Sequence, residues 1–234
     1  MSHETTDSNF VNYKRVWDEQ ISKLDTSRFN IEFKFLYSNN EISEEYLIQG
    51  NNLITRCNED YWFSLILKVM SGFNYFIKND FDLVFKTNLS TIINFEKFYE
   101  YCEQIPQTRE FVYDGVVGNY EGYLFCSGAG MLLNKKSVNI VLNSREHLNE
   151  SWTDDIFIGF ILNKLNGIQP CGLLTRFDID TNNRQVNEDA IKSSSHIRIK
   201  VRSENLDEHY TNVVYNILKS VSYTHLTLPT NREV

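Results

Sequence analysis

The sequence predicts an α/β protein built on a mixed sheet with helices on both faces. Three observations lead there. Segments with strand character alternate with helical segments through the first half of the chain. No internal repeat and no low-complexity linker interrupts the 234 residues, which favours one domain over two. A hydrophobic content of 41% with 14% aromatics is enough for a substantial core.

The elements follow in order. MSHETTDSNFVNYKRVWDEQISKL is polar and turns helical, with Val11, Trp17, Ile21 and Leu24 near helical spacing and Asp7 or Ser8 as cap. An α/β domain usually opens on a central apolar strand. None precedes this helix, so the first strand is expected to be missing. IEFKFLYSN (Ile31–Asn39) alternates and reads as a strand. NLITRCNEDYWFSLILKVMSGF opens on a short strand. It becomes a helix through Tyr61, Leu65, Lys68 and Val69 that ends by Gly72. FDLVFKTNLSTII holds a buried strand, Asp82–Phe85, and changes character at Thr87. INFEKFYEYCEQIP is an amphipathic helix stopped by Pro106. EFVYDGVVG and GYLFCSGAGMLLN are strands broken by glycine, KKSVNIVLNS is a short helix, and WTDDIFIGFILNKL (Trp152–Leu165) is the next. GLLTRFDID and SSHIRIKVRS are strands, and HYTNVVYNILKS is a last helix. The tail SVSYTHLTLPTNREV departs in composition from the body and resembles a translated sequencing adapter. Residues 221–234 are therefore set apart from an expected domain over 1–220. The competing reading is a short strand, Tyr223–Leu228, with period-two alternation.

Bulk properties exclude several roles. A formal charge of −8 argues against a general polyanion binder and so against a nucleic-acid partner. No run approaches the roughly 18 apolar residues that span a bilayer, and no signal peptide is visible. Cys57, Cys102, Cys126 and Cys171 are scattered without a CxxC pair. Neither zinc nor a disulfide framework is indicated, and buried thiols in a reducing compartment are the expectation.

Four places carry polar residues suited to chemistry. In VFKTNLS a strand ends in Lys86, and Asn88 and Ser90 follow, where ligands bind beyond strand ends in open sheets. The plain alternative is an N-cap for the next helix. In CSGAGMLL, Ser127, Gly128, Ala129 and Gly130 nearly lack side chains, so backbone can approach a ligand closely; a tight turn or bulge explains them equally. Asp154 and Asp155 head an apolar segment. With Thr153 as N-cap they face the positive helix end, and one of them can also be a base at a cleft. In HIRIKVR, His196, Arg198, Lys200 and Arg202 share one face of a strand, a row a diphosphate would want. An edge strand guarded by charges is the alternative.

The order of these stretches resembles the glycosyltransferases of GT-A fold, in particular the β-1,3-galactosyltransferase and fringe group. In that family a strand ends in lysine and an Asp-x-Asp metal motif. A glycine turn follows, then an acidic pair heading a helix of pattern [ED]DVxxG. FKTNLSTIIN occupies the place of the first, FCSGAGMLLNKKSV matches the second, and TDDIFIGFIL matches the third with Gly159 in place. The resemblance covers residues 10–200. It implies a GT-A-like, mostly parallel sheet. It also implies an inverting transfer of a hexose-type sugar from a nucleotide-diphosphate donor to a glycan or glycoprotein hydroxyl. Asp154 or Asp155 would be the base. Lys86, Asn88, Ser90, Ser127–Gly130, His196, Arg198 and Lys200 would surround the donor.

Asn88-Leu89-Ser90 departs from the family motif. Neutral oxygens hold Mn2+ or Mg2+ much less well than carboxylates, so any cation at Asn88, Ser90 and His196 is expected to bind weakly. This departure keeps a second expectation open, a non-catalytic relative that binds glycan or nucleotide sugar. A structural α/β component is a third. Asn88-Leu-Ser and Asn149-Glu-Ser are glycosylation sequons. The first lies in the expected site, which favours a cytoplasmic setting over a membrane-anchored parent of Golgi type.

Overall fold

The structure is a computed structural model and describes residues 10–24, 26–59, 63–106, 108–201 and 204–225. In chain order the elements begin with α1 (Phe10–Ser22), β1 (Phe35–Ser38), β2 (Tyr46–Gln49), β3 (Asn52–Thr55), α2 (Phe63–Lys78) and β4 (Leu83–Lys86). Then come β5 (Thr91–Ile93), α3 (Phe95–Gln104), β6 (Tyr113–Tyr120), β7 (Tyr123–Asn134), α4 (Lys135–Leu142) and α5 (Asp154–Gly159). The chain closes with β8 (Arg176–Asp180), α6 (Glu188–Ser193), β9 (His196–Lys200) and α7 (Glu204–His225). Helix α5 continues as π-helical turns over Phe160–Leu165. Tyr61, Arg202 and 226–234 lie outside the described residues.

The chain divides into two compact units. One comprises Asp25–Thr87 and Ile105–Leu174. It holds two three-stranded sheets, β1-β3-β2 and β4-β7-β6. Its core joins Ile66, Val69, Met70 and Phe73 of α2 to Met131 and Leu133 of β7 and to Phe157, Ile158 and Ile161. The other comprises the chain up to Leu24, Asn88–Gln104 and everything from Thr175. Its sheet runs β5-β9-β8. Ile92, Ile179, Ile197 and Ile199 of that sheet pack with Val16 of α1 and Val214 and Leu218 of α7. Trp17 Nε1 donates to Leu89 O at 3.0 Å and Gln20 Nε2 to Ile93 O at 2.8 Å, which ties α1 to the β5 segment.

The α/β class holds, with small mixed sheets. The expected mostly parallel sheet does not. Among the described residues only β1–β3 and β8–β9 pair in parallel, and the other four pairings are antiparallel. For two of those four the reason is local. β2–β3 and β6–β7 are hairpins closed by two-residue turns, and a hairpin is antiparallel by construction of the chain. Left-handed residues make those turns, Gly50 at φ 59° in the first and Glu121 and Gly122 at φ 48° and 83° in the second.

Other expectations move. Helix α2 does not end at Gly72 but runs to Lys78, because Phe73, Phe76 and Ile77 continue its apolar face and Gly72 lies against Leu36. Val11, read as part of the apolar face of α1, is exposed, and Phe10, Tyr13, Val16 and Trp17 are the buried ones. Gly128 and Gly130 do not break β7. They lie within it, at a register shift where Ser127–Gly130 stand opposite Val116 alone, so the bulge reading is the one observed. Strand β9 is central in its sheet, not an edge. Helix α7 carries Tyr223 to His225, where a strand was the alternative. Cys126 is buried and the other three thiols are half-buried. Among the described residues no helix is long and apolar enough to cross a membrane.

One buried carboxylate organises the end of the first unit. Asp114 is fully buried, and its Oδ1 accepts from the backbone N–H of Gly115, Leu173 and Leu174 at 2.7, 2.8 and 3.2 Å. Asp114→Ala leaves three backbone donors without this acceptor. It is expected to lower stability by about 2–3 kcal/mol. The measurement is the urea midpoint; an unchanged midpoint would show that the 171–174 segment does not depend on this anchor.

Candidate functional site

Strand alternation puts Val84 and Lys86 on the buried face of β4, and Lys86 is only 8% exposed. A buried ammonium has to be paired. Lys86 Nζ forms an ion pair with Asp154 Oδ2, both side chains being almost fully buried, and donates to Gly128 O at 2.8 Å. Asp154 and Asp155 begin α5, yet they behave differently. Asp154 turns inward to Lys86. Asp155 is half-buried, and its Oδ2 accepts from Gly128 N at 3.0 Å. Its Oδ1 accepts from Ile156 N at 3.0 Å and from the Thr153 hydroxyl. Thr153 has the extended backbone of an N-cap, but its side chain makes no capping bond. The expected cap is thus replaced by a hydroxyl that orients Asp155.

Glycine is required where these groups meet. A Cβ on Gly128 would lie 2.7 Å from Lys86 Nζ, 3.4 Å from Asp155 Oδ2 and 3.5 Å from Asp154 Oδ1. Thr87 Oγ1 donates to Ala129 O at 3.0 Å and fastens the end of β4 to the same bulge. On the far side of α5, a Cβ on Gly159 would lie 2.4 Å from Phe125 Cβ. The close approach of α5 to β7 therefore depends on Gly159 as much as on the acidic pair.

Lys86, Ser127–Gly130, Asp154 and Asp155 are thus brought together in one unit. Asn88, Ser90, His196, Arg198 and Lys200 belong to the other. There Ser90 O accepts from Ile199 N at 2.8 Å and Asn88 O accepts from Thr91 N at 3.1 Å, so this stretch leads the chain into β5. Residues His196, Arg198 and Lys200 stand in register with Arg176, Asp178 and Asp180 of β8. Asp178 and Asp180 therefore face the cationic row from the neighbouring strand, and Arg198 helps to hold the Asp180 carboxyl below its usual range, after the Asn183 and Asn182 N–H groups. His196 is fully buried. Burial, and then the Arg176 charge, push its pKa down to about 3. A neutral, enclosed imidazole presents no nitrogen at the surface.

The donor set does not fit a firmly held divalent cation. Asn88 and Ser90 bring no charge. Among the described residues no group of three or more His, Cys, Asp or Glu is arranged to hold a metal.

No protein-family model and no curated protein matches the chain.

Thr153 and Thr87 were not singled out as site residues from sequence. The signal for Thr153 was present, since it precedes the acidic pair, but it was read as a cap. The cluster holds one ammonium against two carboxylates. That excess of negative charge suits taking a proton from a hydroxyl and does not suit gripping a diphosphate.

Two outcomes check this geometry. Asp154→Asn leaves Lys86 buried without its counter-charge and is expected to cost about 3–5 kcal/mol, whereas Lys86→Met with Asp154→Leu recovers most of it. Equal destabilisation by the single and double variants would show that the pair is not the source. For His196, the folded pKa lies below the ordinary 6.5, so the unfolded chain gains the proton first as pH falls. Its stabilisation is present above about pH 6.5 and is lost toward pH 3, at up to about 1.4 kcal/mol per pH unit. Denaturation curves of the wild type and His196→Gln between those limits should diverge in slope; parallel curves would mean an accessible, titrating imidazole.

Proposed function

We propose that the protein is a GT-A-like glycosyltransferase that moves a hexose-type sugar from a nucleotide-diphosphate donor to a glycan hydroxyl with inversion. The observation that carries this reading is the half-buried Asp155 carboxylate, held between Gly128 N and the Thr153 hydroxyl at the head of a helix. Lys86, Gly128 and the acidic pair come from the three stretches that resemble the family; Lys86 bonds to Asp154 and to Gly128 O, and Gly128 N bonds to Asp155.

Asp155 is the base in this reading and Asp154 is not. Asp154 is enclosed and paired with Lys86, whereas Asp155 keeps partial access. A carboxylate oxygen has more than one lone pair, so the hydrogen bonds that orient Asp155 still leave it able to accept a proton. The acceptor hydroxyl gives its proton to Asp155 as its oxygen bonds to the anomeric carbon. The bond from that carbon to the diphosphate oxygen breaks on the opposite face, and the leaving diphosphate takes the electron pair. Lys86 positions the acidic pair and the bulge. Arg198 and Lys200, which the resemblance implies as donor-binding residues, belong to the other unit and are assigned no step. No step is assigned to a metal.

A second reading is a glycan- or nucleotide-sugar-binding relative without turnover. Asn88 and Ser90 in place of carboxylates favour it, as do Asp178 and Asp180 standing opposite Arg198 and Lys200 in the sheet.

Asp155→Asn separates the two. The amide oxygen can still accept from Gly128 N while the NH2 group turns to the Thr153 hydroxyl; only the Ile156 N–H loses its acceptor, so folding should survive with a loss of about 1 kcal/mol. Turnover, read as nucleotide release from a panel of nucleotide sugars with glycan acceptors, should fall by about 10²–10⁴-fold at unchanged donor binding. The wild type should keep most of its activity in EDTA. No turnover by the wild type with any donor, alongside saturable donor binding, would favour the binding protein. Turnover in Asp155→Asn at the wild-type rate would remove Asp155 as base.

A further inference from the structure

We propose a second ligand site, separate from the Lys86–Asp155 cluster, that takes a small carboxylate with an apolar tail. It is a cavity of about 180 Å³ at the carboxyl end of β3, where Thr55 and Arg56 face α2 and the segment after α4. Leu67, Met70 and Leu148 form its apolar wall, and Glu45, Ser71 and Arg145 complete the lining. None of these residues has a part in the chemistry above.

The polar lining points to a ligand. Thr55 and Ser71, each only 3% exposed, line the cavity from β3 and α2. Two guanidinium groups face one carboxylate, so the lining carries one excess positive charge on a protein whose formal charge is −8. Arg145 Nη2 donates to Glu45 at 3.0 Å and Arg56 Nη1 to Ser43 O at 2.8 Å. Each guanidinium carries five N–H donors, so these bonds leave others to meet an anion.

Size and wall chemistry narrow the occupant. A cavity of roughly 150 Å³ accommodates benzene, so this one suits about six to eight heavy atoms. One excess positive charge matches a monoanion better than a dianionic phosphate. The Leu67, Met70 and Leu148 wall needs apolar surface that a phosphate lacks. A small carboxylate, its head at the arginines and its tail on that wall, satisfies size, charge and wall together.

The test is a calorimetric titration of the whole chain with butyrate, beside 1-butanol and inorganic phosphate. Butyrate is expected to bind saturably in the millimolar range and the other two to bind at least tenfold more weakly. Arg56→Gln should leave the melting temperature unchanged, since Arg56 is exposed, and weaken butyrate severalfold. Arg145→Gln should weaken it at least tenfold. Three results overturn the site: no saturable heat with butyrate, 1-butanol or phosphate binding as well as butyrate, or both variants binding as the wild type does.

Discussion

The buried ion pair between Lys86 and Asp154 is the constraint on which the rest of the first unit depends. Alternation on β4 drives the Lys86 side chain inward with Val84, and water cannot follow it there. The ammonium then dictates its surroundings. Asp154 has to reach it, which fixes where α5 begins and which way it points. Gly128 has to lack a side chain, because a Cβ there would stand 2.7 Å from Nζ. Ser127–Gly130 has to leave the β6 ladder to bring the Gly128 carbonyl to the same nitrogen. Gly159 then lets α5 settle against Phe125. Three stretches far apart in sequence are thus one mechanical unit. Their residue types follow from the burial of a single charge.

That unit leaves Asp155 held without being consumed by the fold. Its neighbour answers the buried charge, so Asp155 is released from that task and is fixed only by hydrogen bonds from Gly128, Ile156 and Thr153. Bonds of this kind orient a carboxylate and leave lone pairs for an incoming proton. The structural and chemical readings of an acidic pair are usually set against each other. Here they divide between the two residues, Asp154 serving the first and Asp155 offered for the second.

Legibility in the sequence followed the range of the interactions. Elements set by local periodicity, such as α3, α4 and β9, were readable because apolar spacing and glycine or proline breaks are short-range signals. Sheet direction is not, since the mostly parallel expectation comes by resemblance, while the hairpin turns at Gly50 and Gly122 make two of the four antiparallel pairings and long-range pairing makes the other two. Strands β2 and β5, four and three residues long, were missed because such segments carry almost no periodicity. Helix α2 was cut short at Gly72, where packing against Leu36 overrides glycine's poor propensity. In the site, the residue types were legible and the partners were not. The adjacency of Asp154 and Asp155 shows in the sequence; that Lys86 selects the first of them depends on a strand 68 positions away. Thr153 was misread for the same reason, as a cap is the local use of a threonine and orienting Asp155 is a tertiary one.

Charge placement sets the strongest limit on what the protein can do. Departure of a diphosphate needs positive charge where negative charge develops. The Lys86 cluster has an excess of the wrong sign, and in the other unit Asp178 and Asp180 stand opposite Arg198 and Lys200. Neutral Asn88 and Ser90 do not gather a cation to make up the difference. By these terms alone a binding protein would be the simpler outcome. An amide at 155 could take only one of the two bonds, because Gly128 N donates to Oδ2 and Ile156 N to Oδ1, so the carboxylate already serves the fold by holding both. The two carboxylates repel each other, and Lys86, the positive end of α5 and the N–H donors to Asp155 offset that repulsion. Under the proposed reading, proton transfer from a hydroxyl is a further task for Asp155, and that residue, more than the metal or the cationic strand, is where the catalytic and the binding proposals part.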